Sequence, residues 1–149
     1  MTRWITKSER ETENVGKRLV PELEPDGTLL LTGDLGSGKT VLTRGVARGL
    51  GLDPRVVQSP TFTLMREHRV GDRSLIHIDL YRLDSAEAEA LGLEEVLAGE
   101  GVKVVEWAER LEFPVPAARR LHMRRGLEET IRIIEDLGIV EQSETRGEA

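Results

Sequence analysis

Eight consecutive residues, Gly33-Asp34-Leu35-Gly36-Ser37-Gly38-Lys39-Thr40, fill every fixed position of the G-x-x-x-x-G-K-[ST] phosphate-loop pattern. In a chain of 149 residues such a match arises by chance on the order of once in a few hundred sequences at ordinary residue frequencies. The chemistry it serves is the grip on a polyphosphate. Glycines let successive backbone N–H groups turn inward around an anion, and the first turn of a following helix adds donors and the positive end of its dipole. Lys39 then acts as a mobile point charge for the β- and γ-phosphates, and the Thr40 hydroxyl as one ligand of Mg²⁺.

Two carboxylates stand where such a site would use them. Asp79 ends the run Ser74-Leu75-Ile76-His77-Ile78-Asp79, where it can hold Mg²⁺, orient an attacking water, or simply cap the next segment. Alternation places Leu75, His77 and Asp79 on one face of that run and Ile76 and Ile78 on the other. Glu106 and Trp107 close the β-branched run that begins at Gly101, at the strand end where open α/β sheets place ligands. Ser59-Pro60-Thr61-Phe62 is a hydroxyl-bearing stretch, either a loop satisfying its own backbone or a switch that senses the γ-phosphate and Mg²⁺.

The elements that must position these residues follow from periodicity. A capping box, Ser8-Glu9-Arg10-Glu11, opens a helix predicted to run to about Val20, with Thr12, Val15, Leu19 and Leu23 on one face until Pro21 disturbs its end. Gly27 to Thr32 reads as a short buried strand, and Lys39 to Gly49 as a helix with Val41, Leu42, Gly45, Val46 and Leu50 turned inward. Thr63–His68 and Ser74–Tyr81 flank Val70-Gly71-Asp72 as an antiparallel hairpin. A helix capped at Asp84 carries Ala88, Leu91, Val96 and Leu97, and Gly101–Trp107 is predicted to be a central strand. Phe113-Pro114-Val115-Pro116 marks the exit from that core. A closing hairpin follows around Gly126, and residues 141–149 form a polar tail expected to be disordered. Arg119, Arg120, Arg124 and Arg125 make the one basic cluster, by default a solvated edge-strand face and otherwise a contact for phosphate or an acidic partner.

Composition narrows the class. A chain of this length is expected to be one α/β domain, residues 1–140, with an aliphatic core, because aromatics are only 3% of residues. The absence of cysteine excludes a disulfide framework, thiol catalysis and cysteine-ligated zinc. No apolar run suits a signal peptide or a membrane span, so a cytoplasmic protein is expected. A formal net charge of −6 argues against broad nucleic-acid binding by this chain alone.

With these pieces in order, the sequence resembles the bacterial TsaE (YjeE) family, small phosphate-loop ATPases of tRNA threonylcarbamoyladenosine biosynthesis. The resemblance is carried by residues 33–40, by Ser59-Pro60-Thr61-Phe62, by His77-Ile78-Asp79-Leu80-Tyr81-Arg82 with Leu91-Gly92 after it, and by Glu106-Trp107. It implies a P-loop NTPase-like domain with a mixed central sheet flanked by helices and a C-terminal hairpin. ATP and Mg²⁺ are the implied ligands, with Leu35, Gly36, Ser37, Gly38, Lys39 and Thr40 around the phosphates and Glu9 against the base. By the same resemblance Thr40 and Glu106 bind Mg²⁺, with Asp79 beside them, Asp79 is required for hydrolysis, and Trp107 shapes the site. Residues 59–62 would be the switch. Two departures stand out: Ala108 follows the tryptophan where the family often has proline, and Gly126-Leu127-Glu128-Glu129 lacks the basic residue that members can place in the final hairpin.

The expected activity is Mg²⁺-dependent ATP hydrolysis that resets a partner complex, TsaD with TsaB, which itself transfers the threonylcarbamoyl group to an adenosine of tRNA. Contact with tRNA would be indirect, no membrane is involved, and the chain alone would be a monomer or weak oligomer. A small-molecule P-loop kinase, with the arginine cluster on a lid, and a nucleotide-gated binding module are the alternatives.

Overall fold

The computed structural model describes residues 2–58, 64–82, 86 and 91–141. The segment 59–62, the start of the helix expected at Asp84 and the tail from 142 onward lie outside the described residues. In chain order the elements are β1 (Arg3–Thr6), α1 (Glu9–Leu23), β2 (Thr28–Gly33), α2 (Lys39–Gly49), a 3₁₀ turn (Pro54–Val56), β3 (Met65–Val70), β4 (Arg73–Asp79), α3 (Leu93–Leu97), β5 (Val102–Glu106), a second 3₁₀ turn (Ala108–Arg110), β6 (Arg119–Arg125) and β7 (Arg132–Ile139). Seven strands form one sheet in the order β1-β7-β6-β2-β5-β4-β3. The four inner strands β6, β2, β5 and β4 are mutually parallel, and antiparallel partners flank them on both sides.

Alternation along the inner strands builds two cores, one on each face. Leu29, Leu31, Leu75, Val102, Val104, Leu121 and Met123 face α1 and α2 with Val15, Leu19, Leu42 and Val46. Leu30, Ile78 and Val105 face the other way, under α3 and the connection that carries Ala108, Val115 and Ala118. Buried on both faces, β5 is the continuous apolar run typical of parallel strands, save for Lys103 and Glu106. Lys103 is wholly inside yet donates to the carbonyls of Asp26 and Gly99, the latter at 2.5 Å, so its charge is hydrogen-bonded at the end of the strand remote from the phosphate loop. No helix among the described residues is long and apolar enough to cross a membrane.

Ser8 caps helix α1 as predicted, its Oγ accepting from Glu11 N–H at 3.1 Å, while Glu11 Oε1 reaches past the cap to accept from Lys7 N–H at 2.7 Å. The helix then continues past Val20 through Pro21 to Leu23. The missing hydrogen bond falls in the last turn, where burial of Leu19, Val20 and Leu23 holds the chain helical. Val41, expected inward on α2, is only half-buried and lines a cavity instead. Leu91 is exposed in a turn, and α3 starts afresh after Gly92 rather than extending a helix through it.

Strand β1 was not legible: four residues with one buried side chain carry no periodic signal, and the strand exists because β7 offers it a partner. The larger correction concerns the end of the chain. After Phe113–Pro116 the chain does not leave the core, because β6 inserts beside β2, in register from Leu29 with Arg119 to Gly33 with Met123. Only Leu121 and Met123 of β6 are buried, so its arginines disguise an interior strand. The arginines are accordingly not an edge-strand face. Arg119 pairs with Asp136 at 2.6 Å and with Glu22, Arg120 donates to Leu137 O at 3.0 Å, and Arg124 lies 3.7 Å from Glu135.

Helix α1 lies against α2 at two glycines. A Cβ at Gly16 would collide with the carbonyl oxygen of Leu42, and one at Gly45 with that of Glu13. This approach brings the start of α1, and with it Glu9, to the mouth of the phosphate loop. Gly45→Ala is therefore expected to force the helices apart and destabilise the fold by about 1–3 kcal/mol, as overpacking generally does. Urea unfolding measures it; an unchanged midpoint would mean the helices are free to separate.

Candidate active site

The parallel strands end together, and their C-terminal ends supply the site. Gly33 closes β2, Asp79 closes β4, Glu106 closes β5 and Arg125 closes β6. A cavity of about 360 Å³ opens there, lined by Glu9, Leu35, Gly36, Gly38, Lys39, Thr40, Val41, Asp79, Tyr81, Glu106, Trp107, Arg125 and Arg132. Nearly every residue expected around a nucleotide from the sequence thus reaches one space; Ser37 is buried in the loop behind it. The register that pairs Asp79 with Glu106 places the two carboxylates side by side.

The loop's shape depends on glycine at both ends. Gly33 has φ +140° and no room for a Cβ against the carbonyl oxygen of Met123, so β6 supports the loop from behind. Gly38 has φ +102° and, having no side chain, leaves the first turn of α2 uncapped toward the cavity. Lys39 Nζ donates to Gly33 O at 2.6 Å, Asp34 O at 2.8 Å and Ser37 Oγ at 3.2 Å. The ammonium also sits 4.2 Å from the centroid of a Trp107 ring. Burial pushes the Lys39 pKa below its ordinary value, against the opposing pull of Glu106, Glu109, Asp79 and Asp34.

Glu106 is 2% exposed. Its Oε1 accepts from Thr40 Oγ1 at 2.9 Å, and its Oε2 faces Thr43 Oγ1 at 3.3 Å and His77 Nε2 at 2.5 Å. Asp79 Oδ1 accepts from Tyr81 N–H at 2.9 Å, an arrangement that orients the carboxylate and also brings Tyr81 back over the site. Tyr81 and Trp107 stack at 4.9 Å with a 46° tilt, and the Arg110 guanidinium lies 5.8 Å from each ring. Trp107 adopts φ +60°, a left-handed conformation that costs a non-glycine residue about 1 kcal/mol or more. That bend carries its indole over Lys39.

Four cavity residues, Val41, Tyr81, Arg125 and Arg132, were not assigned to the site from the sequence. Tyr81 stands two residues beyond Asp79, a spacing that could have flagged it. Val41 reads as core by helical spacing. Arg125 belongs to the basic cluster and sends its Nε toward Gly36 O at 3.4 Å. Arg132 comes from β7, and no local pattern connects it with a loop nearly a hundred residues earlier. Together these two arginines bring basic groups from the final hairpin to the cavity, although the segment 126–129 between the strands carries none. Glu109, also not assigned from the sequence, borders the loop without lining the cavity: it comes from the turn after Trp107, and its Oε2 lies 3.4 Å from Gly33 N.

A strand, a glycine loop holding a lysine, a helix opened by threonine, and carboxylates on the neighbouring parallel strands define a P-loop NTPase-like domain of the α/β class. Its family is specific. The family model for "Threonylcarbamoyl adenosine biosynthesis protein TsaE" matches residues 6–134, so this chain belongs to the TsaE family. The tRNA threonylcarbamoyladenosine biosynthesis protein TsaE of Bacillus subtilis is 44% identical over 117 residues, 78% of this chain and 73% of that protein. Its counterpart in Synechocystis is 46% identical over 104 residues, 67% of this chain and 66% of that protein. The crystal structure of YdiB from Bacillus subtilis superimposes with a TM-score of 0.75 at 32% identity, covering 99% of this chain and 91% of that one.

Proposed function

We propose that this chain is a Mg²⁺-dependent ATPase that serves tRNA threonylcarbamoyladenosine synthesis by acting on a partner transferase complex, and that it does not perform the transfer itself. The observation that carries the reading is the convergence of Lys39, Thr40, Asp79 and Glu106 on one cavity at the mouth of a glycine loop. The residues present fit Mg²⁺. Thr40, Asp79 and Glu106 offer only hard oxygen donors, and no group of three or more His, Cys, Asp or Glu among the described residues forms a closed protein cage. One or two carboxylates completed by substrate phosphates is the way Mg²⁺ is usually held.

Thr40 and Glu106 would hold the ion, with Asp79 beside them, and the ion would supply neutralisation of the phosphate charge. Thr40 can keep its proton on Glu106 while a lone pair of Oγ1 faces the cavity. Lys39 would exchange one of its carbonyl contacts for a phosphate oxygen, and Arg125 and Arg132 would meet the phosphates from the opposite wall. Asp79 would orient the attacking water, and Tyr81 and Trp107 would limit the access of bulk water. Glu9 and Leu35 would border the base and sugar. Residues 59–62 remain the proposed switch.

The kinase alternative puts the Arg119–Arg125 cluster on a closing lid, whereas β6 is hydrogen-bonded on both sides within the sheet. The test is phosphate release from Mg²⁺-ATP by the purified chain, alone and with its cognate TsaD and TsaB. Stimulation by the partners is expected. Turnover indifferent to them, but dependent on a small acceptor, would replace this reading with a kinase.

A further inference from the structure

His77 lies on β4 two positions before Asp79, and its side chain shares a sheet face with Glu106. It is fully buried. Its Nε2 approaches Glu106 Oε2 at 2.5 Å, and its Nδ1 has no hydrogen-bond partner among the described residues. A histidine kept only for packing would be expected to satisfy both nitrogens or be replaced by an apolar residue, since a buried unpartnered nitrogen is costly. Among the described residues, the single polar contact of this ring is therefore the one on the carboxylate.

The two oxygens of Glu106 are held differently. Oε1 takes the Thr40 hydroxyl at 2.9 Å, beside the cavity that both residues line. On Oε2 the Thr43 hydroxyl is a poor competitor, because its one proton has a nearer acceptor in Lys39 O at 2.9 Å than in Oε2 at 3.3 Å. That leaves His77 Nε2–H as the principal donor to Oε2. We propose that His77 is a positioning residue: it anchors Oε2 inside the sheet so that Glu106 presents one oxygen, Oε1, together with Thr40, to a divalent cation. The proposal rests on the nucleotide-and-metal reading of the site.

The direct test is Mn²⁺ binding, followed by electron paramagnetic resonance, to the intact chain with ADP present, for the wild type and for His77→Ala, His77→Asn and His77→Gln. Glutamine can place an N–H where Nε2 stands; asparagine reaches only the Nδ1 position. The Mn²⁺ dissociation constant is expected to rise about 10-fold or more in the alanine and asparagine variants, the range seen when partners of metal ligands are removed. Glutamine should restore most of the loss, while ADP affinity in EDTA stays unchanged in all four proteins. Equal Mn²⁺ affinity throughout, equal loss with glutamine and asparagine, or a parallel loss of ADP affinity in EDTA overturns the proposal. If the variants do not fold, the wild type decides: long-range ¹H–¹⁵N spectra should show the His77 ring proton on Nε2, and a proton on Nδ1 alone overturns it. A wild type that binds no Mn²⁺ in the presence of ADP defeats the metal reading itself. Normal wild-type binding with indifferent variants defeats only the role of His77.

Discussion

Lys39→Ala is expected to lower ATP turnover by about 10²-fold or more, the loss typical of removing one preorganised electrostatic contributor. The geometry gives two reasons. The ammonium is the buried cation of the loop, where desolvation lowers its pKa and the carboxylates of Glu106, Glu109, Asp79 and Asp34 oppose that shift. It is also the brace of the loop, joining the carbonyls of Gly33 and Asp34 across its own turn. Lys39→Arg separates the two effects. It keeps the charge, but a planar guanidinium cannot repeat the compact set of contacts to Gly33, Asp34 and Ser37, so it should recover little activity. Phosphate release measured with saturating partners and Mg²⁺-ATP checks both variants, and turnover unchanged in Lys39→Ala would refute the role given to this residue.

Glu106→Gln should separate stability from activity. The substitution keeps the shape of the side chain and an oxygen for Thr40, yet it removes a negative charge that is almost wholly buried. Removing the charge relieves the carboxylate's desolvation but takes a coulombic partner from buried Lys39 and sets an amide N–H₂ against His77 Nε2, whereas a metal-binding carboxylate has no neutral substitute. The expected result is a variant that still folds, with a thermal midpoint somewhat below that of the wild type, and Mg²⁺-dependent turnover reduced by about 10²-fold or more. Calorimetry and phosphate release on the same preparation test it. A variant that hydrolyses ATP normally would remove Glu106 from the metal site, and one that unfolds would show that its charge is structural.

What was legible in the sequence was local. The phosphate loop, β2 before it, α2 after it and the β3–β4 hairpin each declare themselves within a dozen residues, through glycine placement and hydrophobic period. Asp79 and Glu106 could be placed because strand ends follow from the same patterns. The alternation on β4 even set His77 on the face of Asp79, although nothing local revealed that Glu106 would meet it. What was hidden depends on pairing between distant segments. β1 takes its identity from β7, and β6 takes its central place from β2. Arg125 and Arg132 reach the cavity only because that hairpin docks there. The arginines of β6 also misled directly, since charge density suggests an edge strand, and here ion pairs with Asp136 and Glu22 help an arginine-rich strand to lie inside the sheet.

The position of β6 has a consequence for how the molecule comes into being. Thr32 of β2 meets His122 of β6 across a separation of 90 positions, and the phosphate loop rests on the Met123 carbonyl behind Gly33. Contacts of such long range form late, because the intervening chain must first be confined. On the ribosome, where synthesis proceeds at roughly 5–20 residues per second, the segment that reads most clearly as a nucleotide site emerges several seconds before the strand that supports it. Until β6 arrives, β2 lacks its partner on one side and Gly33 lacks the Met123 carbonyl behind it.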